Sequence, residues 1–171
     1  MSEHRDDARS QSADSADTQA NADELDVRPG PRDPLHPSIT REQISILVDD
    51  FYELVWKDER LGPIFAGELD GKRPEHLAKM KTFWESVLLK TGAYKGRPVP
   101  AHMKLQNVEG DDFKVWLGLF RKVANNTFHP DAAPHVIETA ERIASSLWLA
   151  MFGNPFNAPP QWRPEPTRST A

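Results

Sequence analysis

One histidine stands on a stretch built to hold it still. Gly96-Arg-Pro-Val-Pro-Ala-His102-Met-Lys-Leu105 carries two prolines, each fixing its own φ and biasing the residue before it to extended backbone. Arg97 and Val99 are therefore expected to be extended, with a short helical turn following from Pro100. A histidine on such a turn points one way. Three more residues with polar tips, Tyr52, His76 and Trp116, fall on or beside apolar helix faces. Tyr O–H, Trp N–H and His N–H are the side-chain donors that tolerate burial. Phe65, Met80 and Phe83 add an apolar wall. A neutral imidazole, a greasy slot and a few donors facing it are what a haem needs: a nitrogen ligand to the iron and polar groups on the oxygen side. His102 is the expected metal ligand.

Other chemistries find less support. The chain has 171 residues and no cysteine, which removes disulfides, thiolate nucleophiles, Cys-ligated iron–sulfur clusters and Cys-based zinc sites. His129 and His135 lack partners at zinc-site spacing. No G-x-S-x-G and no paired Glu-x-x-His are present. Asp49-Asp50 and Asp111-Asp112 read as solvated helix positions or caps.

The elements that must position these residues are helices. Thr40-Arg-Glu-Gln43 matches a capping box, and Ile44, Leu47, Val48, Phe51, Tyr52 and Val55 then recur on one helix face. Gly62-Pro63 reads as a break that turns the chain and points Ile64 and Phe65 inward. Pro74 opens a second long helix with a stripe of Leu77, Met80, Trp84, Val87 and Leu88, ending by Thr91-Gly92. His76 lies at the edge of that stripe near the helix start, free to swing toward solvent, and Lys79 lies at the opposite border. After the His102 turn, Phe113, Trp116, Leu117, Phe120 and Ala124 mark a third helix. Ile137, Ala140, Ala144, Leu147, Trp148 and Met151 mark a fourth, which stops at Gly153-Asn154-Pro155. No strand pattern appears, so the expected fold class is all-α.

Charge divides the chain. Residues 1–38 hold nine acidic and four basic side chains, residues 39–153 sixteen and fifteen, and residues 154–171 one and two. The leading segment is acidic and poor in large apolar residues, and the trailing one has five prolines. Neither can bury enough surface to offset backbone ordering, so 1–38 and 154–171 are expected to be disordered tails on a domain at 39–153. The near-neutral middle offers no basic stripe for nucleic acid. No apolar run is long enough for a membrane and no signal peptide is evident, so a cytoplasmic protein is expected.

Residues 40–153 resemble the truncated haemoglobins, most closely group III. The resemblance is carried by Asp50-Phe-Tyr52-Glu, Leu61-Gly-Pro-Ile-Phe65, His76-Leu-Ala-Lys-Met80-Lys-Thr-Phe-Trp84, Pro98-Val-Pro-Ala-His102 and Phe113-Lys-Val-Trp116-Leu-Gly-Leu-Phe120, in that order. It departs after His102, where Met-Lys-Leu-Gln-Asn-Val replaces a run that commonly contains proline. The resemblance implies a two-over-two helical sandwich around haem b. It implies His102 as proximal ligand, Phe65 on the haem edge, Lys79 facing a propionate, and Tyr52, His76 and Trp116 on the distal side. It implies O2, and also NO or peroxide, as ligands. Redox detoxification, such as NO dioxygenation or peroxidase-like turnover with an outside electron donor, fits a polar pocket better than simple carriage. The reading from another class is a cofactor-free helical interaction module.

Overall fold

The first long helix, α1 (Arg41–Lys57), starts where the capping box sets it. The Thr40 hydroxyl accepts from the Gln43 N–H (3.2 Å), and the Gln43 side chain accepts from the Thr40 N–H (3.0 Å). Such a cap stabilises a helix by about 1 kcal/mol. Ile44, Leu47, Val48, Phe51, Tyr52 and Val55 are all buried, the full stripe expected from their spacing. The computed structural model describes residues 32–154 and Trp162.

Gly62-Pro63 does not break the chain as expected but lies in the first turn of α2 (Leu61–Leu69). The first residues of a helix have no internal acceptor for their N–H groups, so Pro63 removes no bond there. The Asp58 carboxylate takes the N–H groups of Arg60 (3.0 Å) and Leu61 (2.8 Å). The turn itself needs glycine, since a Cβ on Gly62 would stand 2.8 Å from the Trp56 carbonyl oxygen.

Helix α3 (Arg73–Leu88) ends earlier than Thr91-Gly92. Lys90 takes the left-handed conformation (φ 58°), and its ammonium donates to the Val87 carbonyl (2.7 Å), satisfying an acceptor at the helix end. Of its apolar stripe only Trp84 and Leu88 are fully buried. The short α4 (Pro98–His102) begins two residues before Pro100, so Val99 is helical while Arg97 alone is extended. Pro100 itself falls in the first turn, where its missing N–H costs nothing, and the Met103 N–H closes the turn onto the Val99 carbonyl (3.0 Å). Then come α5 (Asp112–Thr127) and α6 (Ala133–Phe152).

The described residues are helical and form no strand. Helix α1 packs on α2, α3 and α5, α5 packs on α6, and α4 rests on α6. The α1–α3 pair thus lies over the α5–α6 pair, joined by aromatic contacts of Phe120 with Trp84 (5.0 Å) and Phe51 (5.5 Å). No helix among the described residues is long and apolar enough to cross a membrane.

Asp112 is not a solvated cap. It is buried, and Arg60 grips both its oxygens (2.6 and 2.8 Å) while the Glu109 N–H donates to one of them (2.8 Å). Arg60 also donates to the Asn107 carbonyl (2.9 Å), so one guanidinium ties the chain after His102 to the start of α2. Burial alone would raise the Asp112 carboxyl; the Arg60 and Glu109 hydrogen bonds and the Arg60 charge outweigh it and leave it lowered. A lowered carboxyl stabilises the fold above its unfolded value of 3.8, and that contribution is lost as pH falls through the folded value. Asp112→Asn should therefore lower the urea midpoint at neutral pH. The gap between variant and parent should close progressively in acid, as parallel urea titrations will read.

Both ends of the described chain touch the body. The Leu35 N–H donates to the Leu88 carbonyl (2.7 Å), and Ile39 is buried. Trp162 lies tilted beside Phe113 (6.2 Å) and donates to the Ser145 hydroxyl (2.6 Å), while Arg121 reaches its carbonyl (2.8 Å). Packing thus includes residues before Thr40, and Trp162 as well. One apolar residue in a polar segment carries no periodicity to announce this. The rest of the expected tails, 1–31 with 155–161 and 163–171, lies outside the described residues.

Candidate functional site

A cleft of about 270 Å³ opens between α1, α2, α3, α4, α5 and α6. All eight residues singled out from the sequence line it: Tyr52, Phe65, His76, Lys79, Met80, Phe83, His102 and Trp116. They come from five helices. Met80, Phe83 and Trp116 are half-buried, packing against the core on one side and lining the cleft on the other.

His102 is fixed by a bond within its own short helix. Its Nδ1 lies 2.8 Å from the Pro98 carbonyl oxygen. A carbonyl can only accept, so Nδ1 carries the proton and the neutral ring keeps its lone pair on Nε2. That is the tautomer a metal ligand needs, with the second nitrogen oriented by the backbone.

Tyr52 and His76 make a polar pair on another wall. The Tyr52 hydroxyl lies 2.8 Å from His76 Nε2, with the rings edge-to-face at 5.0 Å. Burial pushes the Tyr52 phenol well above its ordinary value, so it keeps its proton. Burial, then the charges of Lys79 and His102, lowers the His76 imidazole and favours its neutral form. Trp116 stacks on Phe120 (5.3 Å, 13°) and meets Phe51 edge-on. Lys79 is exposed at the cleft's rim.

The sequence reading missed several wall residues. Tyr94 sits in an irregular stretch, its ring edge-on to Phe83 (5.1 Å) and its N–H on the Ser86 hydroxyl (2.8 Å). Leu105 follows His102 in a turn, and Ile143 and Leu147 reach in from α6. No helical period marks Tyr94 or Leu105. Leu147 was legible as apolar, but its stripe does not say which cavity it meets.

The donor set fits haem. One imidazole offers a free Nε2, the walls are largely aromatic and aliphatic, and the other polar tips are donors that remain uncharged.

No family model matches the chain. It is similar to the group 3 truncated haemoglobin ctb of Campylobacter jejuni, at 37% identity over 118 residues, covering 67% of this chain and 93% of that protein. A crystal structure of group III truncated haemoglobin from Campylobacter jejuni shares the fold with a TM-score of 0.64 and 33% identity, over 68% of this chain and 94% of the other. With more than a third of its aligned residues identical across nearly the whole of that relative, and with the same helical fold, the chain belongs to the group III truncated haemoglobins, a family of haem-binding globins.

Proposed function

We propose that the chain holds haem b through His102 Nε2 and binds O2 on the side faced by Tyr52, His76 and Trp116. The observation that carries this reading is the His102 Nδ1 bond to the Pro98 carbonyl, which leaves one lone pair for a metal and fixes the ring. When bound, the haem supplies a ferrous iron able to take a diatomic ligand such as O2 or NO. Phe65, Met80 and Phe83 exclude water and grip the ring system. Lys79, at the rim, pairs with a propionate. Tyr52 donates its hydroxyl proton to a ligand with partial negative charge when His76 in turn donates Nε2–H to the phenol oxygen. Each group then uses one proton once. Trp116 adds an indole N–H.

Two donors on one ligand, the Tyr52 hydroxyl backed by His76 and the Trp116 indole, slow its release, which favours redox chemistry on O2, NO or peroxide over carriage. His76 is placed to exchange a proton between the cleft and solvent. Turnover would draw on an external electron donor, in the cytoplasm.

The test is a spectrum. Haem added to the purified chain should bind one per chain, with a saturating Soret band. A chain that folds and stays colourless would instead be a cofactor-free helical module.

A further inference from the structure

We propose that the outer side of residues 90–105 is the docking surface for a small acidic electron-donor protein; this rests on the haem reading above. Between Glu85 and Glu109 the chain has four cations, Lys90, Lys95, Arg97 and Lys104, and no carboxylate. The whole protein carries −5, so this strip reverses the local sign. All four side chains are exposed.

Outside the strip, half of the described cations are paired. Arg41, Lys57, Arg60, Lys81, Lys114 and Arg121 each hold a carboxylate within 4 Å. None of the four strip cations has a carboxylate partner among the described residues; Lys90 reaches only the Val87 carbonyl (2.7 Å). Met103, 61% exposed, adjoins Lys104 in the same segment and adds an apolar point. Methionine is enriched at protein interfaces, and unpaired charge around an apolar point is how weak, fast encounters are steered.

The strip is one backbone thick. Tyr94, Pro98, His102 and Leu105 face the cleft from the same segment whose Lys95, Arg97, Met103 and Lys104 face solvent. A donor docked outside therefore lies one residue from the imidazole assigned to the iron. The transfer is of one electron: the donor is oxidised by one, and the ferric iron is reduced to ferrous. The acidic remainder of the surface repels an anionic donor and turns it to this face.

The probe is a reduced flavodoxin, an acidic flavin protein, mixed with the ferric holoprotein in a stopped-flow instrument. The reduction rate should fall roughly ten- to a hundredfold between low and high salt. The triple reversal Lys95→Glu, Arg97→Glu, Lys104→Glu should slow it about tenfold or more at low salt. Excess dithionite should give the same ferrous spectrum in both proteins. Lys79 is left in place because it is assigned to the haem. As a readout separate from electron transfer, oxidised flavodoxin should shift amide resonances of residues 90–105 in the parent but not in the reversal. A normal Soret band with reduction indifferent to salt and to the reversals overturns this proposal alone. So does binding to phosphatidylserine vesicles without binding to flavodoxin. Loss of the Soret band in the parent overturns the haem reading and this proposal together.

Discussion

His102→Ala is expected to abolish stable haem binding. The alanine variant keeps the apolar walls but removes the nitrogen whose lone pair faces away from the Pro98 carbonyl. Altering only the partner that orients a metal-bound histidine typically costs roughly 10–100-fold in metal affinity, so removing the ligand itself should cost at least the upper end. The fold should survive, because His102 is only half-buried and lies on a five-residue helix. Haem titration with a thermal melt separates the two effects. His129→Ala and His135→Ala are controls. His129 Nδ1 accepts from the Asp131 N–H (3.3 Å) and His135 stacks on His36 (6.0 Å), and neither lines the cleft. Haem affinity and spectrum unchanged in His102→Ala would remove the assignment.

Tyr52→Phe is expected to speed O2 release by roughly ten- to a hundredfold. A hydrogen bond to a charge-like acceptor is worth roughly 1.5–3 kcal/mol, and about 1.4 kcal/mol is a factor of ten. The change leaves the ring in place against Phe51 (5.2 Å) and Phe65 (5.9 Å), so packing is little disturbed. Trp116→Phe should also speed release, and the double variant should fall short of the product of the two because both donors act on one ligand. His76 is half-buried, and His76→Leu should mainly change the association rate. Its bond to Tyr52 adds a further expectation: any effect of His76→Leu on release should disappear in the Tyr52→Phe background. Stopped-flow release and flash rebinding on these variants measure both rates. If Tyr52→Phe and Trp116→Phe leave release unchanged while His76→Leu speeds it, His76 is itself the donor to the ligand.

Much of the helical frame was legible because helix signals are local. The capping box at Thr40 and the six-residue stripe of α1 lie within one short window, and both appear in the structure as read. The Pro-bounded turn likewise singled out His102, although the helix begins at Pro98 rather than Pro100. The stripes of α3 and α5 were also legible as apolar. A stripe alone does not distinguish a closed core from the wall of a cleft; Met80, Phe83 and Trp116 were legible as site residues by their side-chain chemistry, and all three line the cleft.

Contacts between distant parts of the chain had no such signal. Arg60 and Asp112 are 52 positions apart, and each alone looks like an ordinary surface charge at a helix end. Their pairing fixes the path of the chain after His102, where the sequence offered no pattern. Tyr52 and His76 are 24 positions apart, and their hydrogen bond sets which proton each can give. Trp162 lies in a segment whose composition promised no packing, yet it bonds to Ser145 and is held by Arg121. Sequence periodicity reports how a helix meets water and apolar surroundings on average. Which polar atom meets which is decided only when helices cross, because a hydrogen bond depends on tenths of an ångström that no spacing along the chain encodes.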